Sequence, residues 1–113
     1  MRKLGIAIIG LGHWGPNLLR TLLDDARVDV KWICDVDERK LKKNQIASSQ
    51  RTTSPREVLT DSSVDAVFIC TPTFTHFELA LAALKAGKHV FVEKPLAQST
   101  REGQALVHLA LQS

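Results

Sequence analysis

The chain has 113 residues, 44% of them hydrophobic and 24% charged, with a formal net charge of +3. Such a length and balance suit one small globular domain with a single core. The excess charge is too small and too scattered for a nucleic-acid surface, and its densest run, RKLKK at residues 39–43, has the spacing of a solvated helix face.

The predicted elements alternate strand with helix. KLGIAII (3–9) is a continuous apolar run ended by glycine, the pattern of a strand buried on both faces. GPNLLRTLLDD (15–25) follows as a helix with Leu18, Leu19, Leu22 and Leu23 on one face and Pro16 in the first turn, where proline is tolerated. VDVKWICDVD (28–37) is the second strand, with Asp35 at its carboxyl end, and DERKLKKNQIA (37–47) a more polar helix, with Asp37 as its N-cap. RTTS (51–54) reads as a short third strand. Ser54 with Glu57 three residues on makes a capping box opening the helix PREVLTD (55–61). DAVFIC (65–70) is the fourth strand. Thr75 caps THFELALAALKAG (75–87), which Gly87 ends, and KHVFVEK (88–94) is the fifth strand. STREGQALVHLALQS (99–113) starts one more capped helix.

Strand–helix–strand repetition implies right-handed βαβ units and an α/β, doubly wound parallel sheet. One dinucleotide-binding (Rossmann-like) domain over 1–113, of about five strands, is expected. A 3-2-1-4-5-6 sheet would need a sixth strand after the last helix, and none is readable, so the domain is expected to be incomplete at its C-terminal end. No apolar run nears the ~20 residues of a membrane span. LGIAIIGLG is too short, and wrongly punctuated by glycine, for a signal peptide. Cys34 and Cys70 each end an apolar run and read as small buried thiols in a reducing cytoplasm, not as a disulfide or metal pair.

AIIGLGHWGPNLL (7–19) carries G-x-G-x-x-G where a strand passes into a helix. In that setting Gly10 allows the tight turn, Gly12 lets backbone approach a pyrophosphate, and Gly15 lets the helix pack close to the strand. Free N–H groups of the first helical turn then face the anion. His13 and Trp14 fill the variable slots, offering backbone first and side chains as a shield. An acid at the second strand tip completes the pattern. Asp35 there accepts hydrogen bonds from ribose hydroxyls and repels the extra phosphate of NADP, so NAD is the expected cofactor and NADP the lesser alternative. Arg39 either stacks on adenine, meets a 2′-phosphate, or is a surface arginine.

Ligands of doubly wound sheets bind outside the carboxyl ends of the strands, which makes CTPTFTH (70–76) and VEKPLA (92–97) informative. With GLGHWG and CDVD, the motifs TPTFTH and EKPLA resemble, in order and approximate spacing, the amino-terminal domain of the Gfo/Idh/MocA oxidoreductases, across essentially the whole chain. The resemblance implies that Thr71, Pro72 and Thr73 line the cofactor near its nicotinamide ribose and that His76 lies near the nicotinamide or pyrophosphate. It implies that Glu93 contacts the nicotinamide-side ribose and that Lys94 reaches the substrate. A lysine so placed can stabilise charge developing on a substrate oxygen as hydride leaves, and Pro95 biases Lys94 to extended backbone.

The function expected is that of the nucleotide-binding portion of an NAD-dependent dehydrogenase of a sugar, polyol or nucleotide sugar. The alternative is a non-catalytic NAD-binding or association module. The partners expected are a nicotinamide dinucleotide, a sugar-like substrate only with a further domain, and other copies of the chain, joined through the fifth-strand edge or the last helix.

Overall fold

The computed structural model describes residues 3–12, 14–44 and 50–92, excepting the side chain of Thr73. Five parallel strands, β1 (Leu4–Ile9), β2 (Val28–Cys34), β3 (Gln50–Thr52), β4 (Ala66–Ile69) and β5 (His89–Val92), form one sheet in the order β3-β2-β1-β4-β5. The chain starts in the middle, walks out to β3, then crosses back over β1 to build the other half. That reversal between β1 and β4 creates the crevice in which doubly wound sheets bind ligands.

Four helices connect the strands: α1 (Gly15–Leu23), α2 (Glu38–Lys43), α3 (Pro55–Leu59) and α4 (His76–Lys85). Alternate strand residues feed the two faces. Ile8, Val30 and Ile33 pack with Leu19 of α1 and Leu41 of α2. Ala7, Ile9, Trp32, Cys34, Val67 and Ile69 pack with Val58 of α3 and Ala80 and Ala83 of α4. The strict alternation breaks once. Ile6 pairs with Val30 but Ala7 with Trp32, so Lys31 is an extra residue in β2. This irregularity is why Val30 and Trp32, two residues apart, serve opposite faces.

The end of the sheet opposite the crevice is tied by polar side chains. The Trp32 indole N–H donates to Asp61 Oδ2 at 2.8 Å, and Ser63 donates to Asp61 Oδ1 through both its amide and its hydroxyl. Lys88 Nζ donates to the carbonyls of Asp61 and Val64. These bonds hold the Asp61 carboxyl well below its usual range, at about 2, with the Trp32 bond the largest cause.

Several local expectations need correction. Leu18, Leu19, Leu22 and Leu23 do not share one buried face: Leu19 is buried, Leu23 is 42% exposed, and Leu18 lines an open groove. Ser54 occupies the N-cap of α3 but its side chain makes no cap bond; Pro55 follows in the first turn, and the Glu57 amide donates to the Ser54 carbonyl at 3.2 Å. Thr75 does not cap α4 with its side chain either, because a 3-10 turn over Thr73–Thr75 precedes the helix and its hydroxyl turns back to the Pro72 carbonyl at 2.6 Å. Asp37 does cap α2, accepting from the Arg39 amide at 2.9 Å. Gly87 closes α4 at φ +78°. The fifth helix-forming stretch, from Ser99 on, lies outside the described residues.

Candidate functional site

Gly10 sits where the tips of β1, β2 and β4 meet. Its amide donates to the Cys34 carbonyl at 2.8 Å, and the Cys70 amide donates to the neighbouring Ile9 carbonyl at 2.7 Å. Its φ is +105°, and a Cβ there would lie 2.6 Å from the Cys70 carbonyl carbon. Both the left-handed backbone and the close approach of β4 therefore require glycine. Gly15, first residue of α1, is excluded from substitution by contact alone: its Cβ would stand 2.0 Å from the Gly10 carbonyl oxygen.

Gly12 differs from both. It is exposed, and among the described residues beyond its chain neighbours a Cβ there would have one heavy atom within 4 Å, the Lys40 Nζ at 3.8 Å. The space in front of it is open to a ligand. Among the described residues, no side chain caps α1 and no acidic residue lies in its first turn. The uncapped amides and the open glycine together make a cradle for an anion.

Asp35 is fixed beside this cradle. One carboxylate oxygen accepts from the Leu11 amide at 2.8 Å and the other from the Asp37 amide at 2.8 Å. Its own amide donates to the Thr52 carbonyl of β3. The residue is 8% exposed, and its two acceptor oxygens each keep a further lone pair for a hydroxyl. Arg39, by contrast, is engaged by Asp37 through its backbone and its guanidinium, and its side chain is 92% exposed. That pairing lowers the Asp37 carboxyl below its ordinary range and raises Arg39.

On the β4 side, Thr71 and Pro72 form the turn into α4. His76 is 1% exposed, and its Nε2 lies 2.7 Å from the Thr71 carbonyl oxygen, so it holds the turn from beneath. The Thr75 hydroxyl lies 2.5 Å from that of Thr71. Pro72 and Trp14 are exposed, and Phe74 is 67% exposed. Ile9, Ile69 and Val92 are paired across β1, β4 and β5, so the three strand tips are level. His13, Glu93, Lys94 and Pro95 lie outside the described residues. So does the side chain of Thr73.

Beside α1, an open groove of about 460 Å³ exposes Trp14, Leu18 and the stacked rings of Phe68 and Phe91, 4.8 Å between centroids. Both cysteines are free thiols. Burial pushes the Cys34 thiol up to about 12, so it stays protonated and inert. No described group of histidines, cysteines and carboxylates could hold a metal ion, and no described helix is long and apolar enough to cross a membrane.

Residues 4–113 match the profile of the Gfo/Idh/MocA group, described as an oxidoreductase family with an NAD-binding Rossmann fold. The chain belongs to the Gfo/Idh/MocA oxidoreductase family. Its fold is that family's NAD-binding Rossmann domain. The myo-inositol 2-dehydrogenase of Thermotoga maritima is 42% identical over 95 residues, 80% of this chain and 28% of that protein. The NAD-dependent scyllo-inositol 2-dehydrogenase of Bacillus subtilis is 37% identical over 103 residues, 88% of this chain and 30% of that protein. The crystal structure of GenD2 from gentamicin A biosynthesis, in complex with NAD, superposes with a TM-score of 0.94 at 35% identity, covering 99% of this chain and 32% of that one. The chain thus spans about 30% of the length of the curated relatives it matches.

The residues present fit a dinucleotide. The Gly12 opening and the uncapped first turn of α1 suit a pyrophosphate, and the Asp35 lone pairs suit ribose hydroxyls. Two groups beside the glycine turn escaped sequence reasoning. One is the Leu11 amide that orients Asp35, for which no sequence signal exists. The other is Lys40, which the helical period could have singled out, since burial of Leu41 turns its neighbour towards the glycine turn.

Proposed function

We propose that this chain is the nucleotide-binding portion of an NAD-dependent dehydrogenase that oxidises a ring hydroxyl of a polyol or sugar to a ketone. The observation that carries the reading is the open Gly12 cradle lying beside the fixed carboxylate of Asp35. The inositol 2-dehydrogenases among its relatives favour a cyclic polyol as substrate. NAD supplies a hydride acceptor when bound. Gly12 and the α1 amides hold the pyrophosphate, and Asp35 holds the adenosine ribose and disfavours a 2′-phosphate. Thr71, Pro72 and Thr73, with the turn pinned by His76, line the nicotinamide half, and Glu93 holds the ribose on that side. As the substrate carbon would give up hydride to that acceptor, its hydroxyl would pass its proton to a general base supplied by the substrate-binding part of the protein. Lys94 hydrogen-bonds that oxygen and steadies the charge developing there.

The larger part of the relatives has no counterpart here, so the substrate pocket belongs to a further domain, and residues 1–113 by themselves bind cofactor without turnover. Copies of the chain associate through the fifth-strand edge or the last helix, and free thiols at Cys34 and Cys70 suit the cytoplasm. Light scattering at rising concentration tests the association; a monomer throughout refutes it.

Calorimetric titration with NAD and NADP tests the central reading. NAD should bind more tightly than NADP, and Asp35→Ala should weaken NAD and narrow that preference. An unaltered chain that binds neither dinucleotide defeats the reading.

A further inference from the structure

Lys40 stands apart from the other cations of its helix. Burial of Leu41 against Ile8, Leu19 and Ile33 fixes the rotation of α2. Successive residues step 100° around a helix, so Arg39, Lys40 and Lys42 leave α2 in different directions. Arg39 folds onto Asp37. Lys42 and Lys43 are exposed. Of the cations of α2, Lys40 brings its ammonium to the glycine turn, within 3.8 Å of where a Gly12 Cβ would be, and among the described residues beyond Gly12's chain neighbours no other heavy atom comes within 4 Å of that point. Among the described residues no carboxylate is ion-paired with that ammonium.

We infer that Lys40 is a cofactor-binding residue, contacting a phosphate oxygen of the dinucleotide pyrophosphate over Gly12. The inference rests on the reading of this site as a dinucleotide cradle. An oxygen drawn to the Gly12 backbone and the α1 amides enters the volume that the ammonium borders. A small swing of the four-carbon stem closes the gap to a charge-assisted hydrogen bond of about 2.8 Å. The ammonium is measured against Gly12, whereas the ribose-binding carboxylate of Asp35 is held by Leu11 and Asp37. The contact is therefore to the phosphates that NAD and NADP share, rather than to the 2′-phosphate of NADP. The α1 turn has no acidic residue of its own to offset, so the lysine adds a formal positive charge to a cradle that the described residues otherwise build from backbone dipoles.

The test is calorimetric titration of the full chain with NAD and with NADP, for the unaltered protein, K40Q, K40R and K42Q. Expected are losses of about fivefold for K40Q with both dinucleotides, near-recovery in K40R, and no change in K42Q, which removes the same charge from the same helix. Loss confined to NADP would reassign Lys40 to the 2′-phosphate and overturn the pyrophosphate contact. Equal affinities of K40Q and the unaltered chain overturn the inference while leaving the dinucleotide reading intact. Equal losses in K40Q and K42Q replace a contact by general charge and also overturn it. Failure of the unaltered chain to bind either dinucleotide removes the dinucleotide reading and this inference together.

Discussion

Replacing Gly12 by alanine separates binding from folding. Among the described residues beyond its chain neighbours, the new methyl carbon would meet only Lys40 Nζ, at an ordinary contact distance of 3.8 Å, and the backbone there is not left-handed. The folded state gains no strain, while the unfolded chain loses freedom, so Gly12→Ala should stabilise the protein by about 0.4–1 kcal/mol. The same methyl fills the space through which a phosphate reaches the α1 amides. Displacing the anion by about an ångström forfeits one or two charge-assisted hydrogen bonds at about 1.5 kcal/mol each, so NAD affinity should fall on the order of 10- to 100-fold. Gly15→Ala is the contrasting control. Its Cβ would lie 2.0 Å from the Gly10 carbonyl oxygen, and relief requires moving α1 off the sheet, at a cost of about 3 kcal/mol or more. Urea unfolding followed by circular dichroism reads stability, and calorimetry reads binding. A Gly12→Ala protein that binds NAD like the unaltered chain refutes the cradle. One that unfolds at clearly lower urea refutes the claim that the space is open.

Other consequences follow from the same geometry. Asp61, held at about 2 by Trp32 and Ser63 against 3.8 for a free side chain, contributes stability that is fully present above pH 4 and lost as pH falls from about 4 towards 2. Asp61→Asn should flatten that acid limb in a pH series of thermal melts, and an unchanged limb contradicts the assignment. His76→Leu removes the group beneath the Thr71 carbonyl, and should cost about 1–3 kcal/mol and weaken NAD binding, with His76→Gln recovering part of both. Equal effects of leucine and glutamine would show that the side chain's volume matters rather than its hydrogen bond. Cys70, half-buried at the groove, should react with a maleimide in the native protein, whereas Cys34, raised to about 12 and 1% exposed, should react only on unfolding. Mass spectrometry of the labelled chain distinguishes them, and early labelling of Cys34 speaks against its burial.

Much of this architecture is local chemistry and so was legible in the residues. KLGIAII and DAVFIC are apolar enough to be strands buried on both faces, and the order of elements leaves a parallel, doubly wound sheet as the economical arrangement. The positions of Gly10, Gly12, Gly15 and Asp35 follow from where strands end and helices begin. Their differing reasons do not. Gly10 is required by a carbonyl 60 residues away and Gly15 by Gly10 itself, whereas no contact among the described residues requires Gly12.

Tertiary structure decided what depends on contacts between distant segments. The capping pattern at Thr75 yielded to a 3-10 turn, and that at Ser54 left its side chain without a cap bond, because a side chain bonds whichever partner the packed loop presents. The irregularity at Lys31 reset the faces of β2, since register is settled by pairing with β1 rather than by alternation within β2. Leu18 has the same composition and helical spacing as Leu19, yet one lines a groove and the other fills the core. Arg39 and Lys40 are adjacent cations in the sequence. Only the burial of Leu41, and with it the rotation of α2, sends one to Asp37 and the other to the glycine turn.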